Sequence, residues 1–296
     1  MSGRYKKAPI IYMVARIQTS PLPKLTSDQR ASLEQAFVEK GYIDSFISKA
    51  QEFNVGFPAN FEEEEQSNLS VDGKEYLRYG YFHGSKQHAF IFDRAAIEFR
   101  TTNYTKFEDA TAIIQSVLDS ICEIVPSYRK VLARELVLIY VDLIMPYEGR
   151  SLSDYFQANS KILPLSVLGA EGEPDVQSFG SVQVTRIVEP DKRVVVSLEQ
   201  LPPNKDGKPS KVLPNRLIEQ DNVFAMPFVK HQEWSMSSGY YALLTTESGA
   251  LLNKELGVVN FYDSSEKIHD ITSDMFKNLI NREVCDVDWD YSGDDV

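Results

Sequence analysis

Between Gln87 and Asp142 the chain spells strand, helix and strand in an order that admits few folds. Tyr76 to Phe82 and His88 to Phe92 alternate in polarity, and His83-Gly84-Ser85-Lys86-Gln87 between them reads as a hairpin loop. A turn at Asp93-Arg94 leads to a third strand, Ala95 to Thr101. Thr105-Lys106-Phe107-Glu108 has the form of a capping box. The helix it opens carries Ala112, Ile113, Ser116, Val117, Ser120 and Ile121 on one stripe. Leu136 to Ile144 is a near-continuous apolar run of strand length. Such a run needs cover on both faces, which makes it a central buried strand.

The remaining chain extends this pattern. Ile10 to Ile17 predicts a first core strand, broken by Ser20-Pro21-Leu22-Pro23. Thr26-Ser27-Asp28-Gln29 predicts a helix start, with Gly41 as its stop. Residues 42–55 fit either element, and Glu62 to Glu65 reads as a solvated loop. Past Met145-Pro146, a short helix is expected at Leu152 to Gln157. Strands are expected at Ser178 to Val188, Arg193 to Gln200, Val223 to Val229 and Tyr240 to Thr246, and a last helix from about Ser264 to Asn281. Its apolar face is Ile268, Ile271, Met275, Phe276 and Leu279. Asn103 to Glu108 before one helix is weakly echoed by Asn260 to Glu266 before the other.

The expected fold class is therefore α+β, built from two related, mainly antiparallel sheet-plus-helix halves, with an internal duplication as one origin. The division places an N-terminal half at 1–150, a C-terminal half at 151–283 and an acidic tail at 284–296.

Hydrophobic residues make up 43% of the 296 and charged residues 25%, a soluble globular balance with ample aromatic material for a core. Half of the net charge of −12 falls after Arg282, on Glu283, Asp286, Asp288, Asp290, Asp294 and Asp295, so the body is only mildly acidic. Phosphate-backbone binding needs clustered Lys and Arg, and no basic run exceeds Arg4-Tyr5-Lys6-Lys7, which argues against nucleic acid except through a hidden basic face. Cys122 and Cys285 lack metal-ligand spacing and read as two reduced thiols of a cytoplasmic protein, a bridge between helix ends being the alternative. No apolar run is long enough for a membrane-spanning helix, and Lys6-Lys7 before Ile10 lacks the remainder of a signal peptide.

Candidate site residues are few. Glu98, Glu135 and Asp142 lie on strands, and carboxylates converging from a sheet can hold a metal or act as a general acid–base pair. They are the catalytic candidates for a metal-dependent hydrolase or nuclease, although no Asp-x-Asp or Glu-x-Lys accompanies them. His83 and His88 flank the hairpin loop and are too few to hold a metal. His231 and His269 are isolated, and His269 beside Lys267 and Asp270 is expected on a solvated helix face. Phosphate-loop, dinucleotide and Gly-x-Ser-x-Gly patterns do not occur, so no cofactor and no metal is expected. In the tail, acids alternate with bulky residues. Asp286, Asp288, Trp289, Asp290 and Tyr291 therefore read as partner-binding residues of a docking motif, with aromatic anchors and steering charges. The competing reading puts Val287 and Trp289 on a final edge strand.

Several local features occur together: the Pro9 to Ile17 strand, Thr102-Asn103-Tyr104 before a helix, a strand opening at Arg134 and running to Asp142, and Ile268-His269 to Met275-Phe276 in a late helix. In this combination the chain resembles a sporadically distributed family of uncharacterised bacterial proteins. The chain departs from that family's Arg-hydrophobic-Gly-Leu-Arg-Tyr-Ile-Asn strand, lacking the Gly and the second Arg, and has Leu243 to Thr246 where the family has Asp-x-Asp. The resemblance implies a patchily inherited bacterial gene, as defence-linked genes often are, and no established activity. The expectation is a non-enzymatic protein-binding module: an inhibitor, immunity factor, sensor or subunit of a bacterial antiviral defence or toxin-control system. Its partner would be another protein of the same operon or of an invading element, and self-association into a homo-oligomer is left open.

Overall fold

The computed structural model describes residues 4–55, 71–163, 179–228 and 239–293. Its centre is one antiparallel sheet of nine strands. In chain order these are β2 (Ile10–Thr19), β3 (Asp44–Val55), β4 (Val71–Phe82), β5 (His88–Asp93), β6 (Ala96–Thr101), β7 (Leu132–Ile144), β8 (Gly180–Glu189), β9 (Lys192–Leu201) and β10 (Tyr241–Glu255). Across the sheet they run β3-β4-β5-β6-β2-β7-β10-β9-β8. A separate two-stranded ribbon pairs β1 (Arg4–Tyr5) with β11 (Tyr291–Ser292). The fold is thus α+β with a large antiparallel sheet, and both halves of the chain contribute to that one sheet.

Four helices accompany it: α1 (Ser27–Glu39), α2 (Phe107–Ile124), α3 (Phe261–Leu279) and α4 (Arg282–Asp288). None among the described residues is long and apolar enough to cross a membrane. Thr26 and Gln29 form a capping box at the expected start of α1, and Gly41, at φ +87°, takes the left-handed conformation that follows the helix.

Alternation along the central strands separates two faces. Met13, Ala15 and Ile17 of β2, with Leu136, Leu138 and Tyr140 of β7, pack against Leu33 and Phe37 of α1, Ile114 and Leu118 of α2 and Ile268 of α3. Tyr12, Val14, Val137, Ile139 and Val141 point the other way, onto Leu213, Leu217 and Met226 of the segment leaving β9. That double cover is why residues 136–144 are apolar almost without interruption. A further cluster joins Ile144, Leu244 and Val196 to Leu279, Trp289 and the turn around Tyr155. Cys122 lies in the α1–α2 cluster and Cys285 in this last one, each a free buried thiol.

Several expected elements are displaced. Val223 to Val229 is not a strand over its described part: Asn222–Phe224 is a 3₁₀ turn whose start is held by the Asp221 carboxylate accepting from Val223 N. Thr105 does not cap α2, because Lys106 stands at the cap position and the Thr105 hydroxyl donates to Asp109 at 3.2 Å. The buried stripe of α2 is rotated relative to the expected one, with Ala112 exposed while Ile114, Leu118 and Phe107 enter the core. Residues 42–55 resolve as the edge strand β3 from Asp44. Glu62 to Glu65 lie outside the described residues.

Candidate functional site

The face of the sheet opposite the helices is crossed by residues 202–228, here termed the strap. Its attachments are chiefly side chains of opposite sign and shape. Tyr241 Oη accepts from Lys211 N and donates to Lys211 O, both at 2.9 Å, and Lys211 Nζ reaches Glu199. Arg216 pairs with Glu247 of β10. Glu219 lies between two arginines: its carboxylate accepts from both Nη atoms of Arg78 at 3.0 Å, and from Arg100 Nη1 at 2.9 Å. Asp221 bonds the Ser48 hydroxyl of β3. Phe224 is fully buried over Gly80 and stacks on Phe82, and the Arg78 guanidinium lies 4.9 Å from its ring centre.

Between strap and sheet lies a cleft of about 950 Å³. A hollow of about 520 Å³ continues it toward Arg94. From the sheet side, Arg16, Lys49, Arg78, Arg94 and Arg100 supply five cations, against the acids Glu75, Asp93 and Glu98. The strap adds Arg216 and the acids Glu219 and Asp221. The sheet side therefore holds more cation than anion, and the strap, with one cation and two acids, offsets part of that excess.

The floor is an ordered ion lattice. Glu98 on β6 accepts from Arg16 of the neighbouring β2 at 2.5 Å and from Arg100 two residues along its own strand. Burial opposes its ionisation, but the charges of Arg100 and Arg16 outweigh that and hold the carboxyl below its ordinary range. Burial likewise raises Glu219, yet the hydrogen bonds from Arg78 and the charge of Arg100 bring it to about 2. Burial lifts the Tyr12 hydroxyl to about 12. Arg78 Nε is buried with no hydrogen-bond partner among the described residues, and the nearest Asp93 oxygen is 3.7 Å away. The cleft thus presents fixed guanidinium groups, and its central carboxylates remain charged and paired.

The three carboxylates proposed for catalysis are not brought together. Glu98 and Glu135 lie on the strap face, Glu98 in the arginine lattice and Glu135 against Arg193 at 3.1 Å. Asp142 follows the alternation of Leu138 and Tyr140 onto the helix face. There burial alone raises its pKa from 3.8 to about 7. No group of three or more His, Cys, Asp or Glu among the described residues could hold a metal.

The histidines are also placed. His83 and His88 have ring centres 5.7 Å apart. His83 Nδ1 meets Ser85 at 2.9 Å and His88 stacks on Phe99. His269 is not on a solvated helix face: it stacks on Phe107 with ring centres 4.0 Å apart, and its Nδ1 lies 3.0 Å from Tyr140 Oη. Burial lowers its pKa. The reason is the rotation of α2, which brings Phe107 against α3. His231 lies outside the described residues.

The acidic tail is folded onto its own chain through Gly293. Residues 282–288 form α4 rather than a strand, and Trp289, 4% exposed, packs against Tyr5, Tyr155 and Phe276. Asp286 accepts from Tyr5 Oη at 2.7 Å and Asp288 from Tyr155 Oη at 2.6 Å. Asp290 lies 3.9 Å from Lys6, and Tyr291 pairs with Tyr5 across the ribbon. The anchors expected to seize a partner are already engaged within the chain, because the N-terminal Tyr5 supplies the aromatic surface that Trp289 covers.

Sequence reasoning missed Arg16, Arg78, Arg100 and Glu219. One signal was available: Glu98-x-Arg100 puts opposite charges on the same face of a buried strand. No protein-family model, curated protein or solved structure matches the chain.

Proposed function

We propose that this protein acts by binding another protein, not by catalysis, and that the arginine-floored cleft on the strap face receives the partner. The observation that carries this reading is the pairing of guanidinium and carboxylate groups across the cleft floor. A carboxylate held between arginines well below its ordinary pKa is a poor general base, whereas fixed guanidiniums recognise planar anions with directional hydrogen bonds. The hydrolase reading would need Glu98, Glu135 and Asp142 to converge, and they lie apart on two faces. The wider setting belongs to the same proposal and is supported by the family resemblance: an inhibitor, immunity factor, sensor or subunit of a bacterial defence or toxin-control system, at work in the cytoplasm.

We also infer that the two halves descend from one unit. β2 opens a path that returns through β3 to β6, with β6 pairing beside β2, and then enters α2. β7 opens a path through β8 and β9 to β10, which pairs beside β7 and is followed by α3. The two opening strands pair with each other at the centre. This repeated course supports duplication.

The binding reading is tested by affinity capture from host lysate with the tagged native chain and with an Arg16→Gln/Lys49→Glu variant. A protein captured by the native chain should fall by about tenfold or more with the variant, as expected when charges that steer and fix a partner are removed. Equal capture by both chains would remove the cleft from consideration.

A further inference from the structure

We infer that strap residues 216–221 are the cleft's own occupant, and that the partner engages it through an extended acidic segment placing a carboxylate where Glu219 now sits. This rests on the binding role proposed for the cleft. Glu219 is gripped as a ligand's carboxylate would be, fork to fork by Arg78 at 3.0 Å and from the side by Arg100 at 2.9 Å. Those guanidiniums come from β4 and β6, strands far from residue 219 in sequence.

The way the strap is held makes it replaceable. Main-chain hydrogen bonds of residues 214–225 are local turns, from Leu217 N to Pro214 O, Ile218 N to Asn215 O, Phe224 N to Asp221 O and Ala225 N to Asn222 O. The grip on the sheet described above for this stretch comes from side chains, which a second chain could supply. Charge selects the class of replacement. Arg78 and Arg100 have side chains only 14% and 11% exposed, so vacating the site with nothing in return would take a buried counter-charge from each, leaving Asp93 3.7 Å from Arg78 and Glu98 on Arg100. That is strongly unfavourable, whereas exchange of one carboxylate for another preserves the pairing. The buried Arg78 Nε, without a hydrogen-bond partner among the described residues, leaves a donor to spare.

The probe is a fluorescein-labelled peptide with the sequence of residues 211–228, and a counterpart carrying Glu219→Gln. Fluorescence anisotropy should show weak binding to the native chain. Binding should be at least about tenfold tighter to a Phe224→Ala chain, because self-occupancy lowers apparent affinity by the fraction of sites left open. Phe224→Ala frees the strap and keeps every arginine in place in the sequence, removing only the ring contact to Arg78, while Glu219→Gln leaves that contact intact. A Glu219→Gln chain, which weakens the strap at its other anchor, should move the same way, with thermal melting confirming that both are folded. The peptide carrying Gln should lose the gain, and added salt should erode it. Peptide binding no tighter to either strap variant than to the native chain would overturn the inference. If protein capture still depends on Arg16 and Lys49, the cleft reading survives that failure; if it does not, both fall. A labelled oligothymidine bound more tightly than the peptide by the same chains would overturn the assignment to an acidic peptide.

Discussion

Gly80 and Phe224 occupy complementary space: a β-carbon on Gly80 would stand 2.5 Å from the Phe224 ring. Glycine serves here as an absence of volume, and the slot it leaves fixes the far end of the strap. Gly80→Ala should expel the ring and destabilise the protein by about 1–3 kcal/mol. Hydrogen exchange followed by mass spectrometry should show faster exchange around residues 221–226, with β2 and β7 still protected. Unaltered exchange in the strap would contradict the slot's role.

Asp142 makes stability depend on pH in a defined direction. Its carboxyl is buried and its pKa raised to about 7, from an ordinary 3.8. Below pH about 4 it is protonated in folded and unfolded chains alike, and its neutral form leaves stability intact. As pH rises toward 7 the unfolded chain releases the proton first, so stability falls, by about 4 kcal/mol in total for a shift of this size. Asp142→Asn should remove that fall and give the more stable protein at pH 8. Urea denaturation at pH 5 and pH 8 checks it, and an identical pH dependence in the variant would refute the assignment.

Trp289 belongs to the core. Trp289→Ala should lower stability by about 3–5 kcal/mol, as for other large aromatic truncations. Deleting residues 284–296 should be more damaging still. Chemical denaturation of both variants tests this, and a deletion variant with native stability would show that the tail is dispensable to the fold.

Glu98 neutralises two arginines at once. Glu98→Ala leaves Arg100 buried and short of a partner, and should cost about 3–5 kcal/mol. Replacing the pair together, Glu98→Met with Arg100→Met, should recover most of that loss, since a packed apolar pair needs no counter-charge. A thermodynamic double-mutant cycle reads the coupling directly, and additive losses would mean the two side chains act independently.

What the sequence disclosed follows from how local each signal is. The buried strand at 136–144 was legible because cover on both faces writes itself into every residue of the run. The start of α1 was legible because Thr26 and Gln29 satisfy each other within a single turn. The start of α2 was not, since Phe107 is drawn onto His269, a partner 162 positions away. The cleft was hidden for the same reason: Arg78 and Arg100 meet Glu219 across sequence separations of 141 and 119. In the tail, the alternation of acid and aromatic residues was read as a docking motif for a partner, and sequence alone gave no hint that Tyr5 and Tyr155 of the same chain would engage these side chains.

The ribbon of Arg4–Tyr5 with Tyr291–Ser292 has a consequence for biosynthesis. At translation rates of about 5–20 residues per second, Tyr5 leaves the ribosome's catalytic centre roughly 15–60 s before Tyr291 is added. Through that interval Tyr5 has neither its ribbon mate nor the Trp289 ring. Closure of this corner must await synthesis of residues 289–291, and a ribosome stalled before them would hold a chain with this aromatic seam open to chaperones.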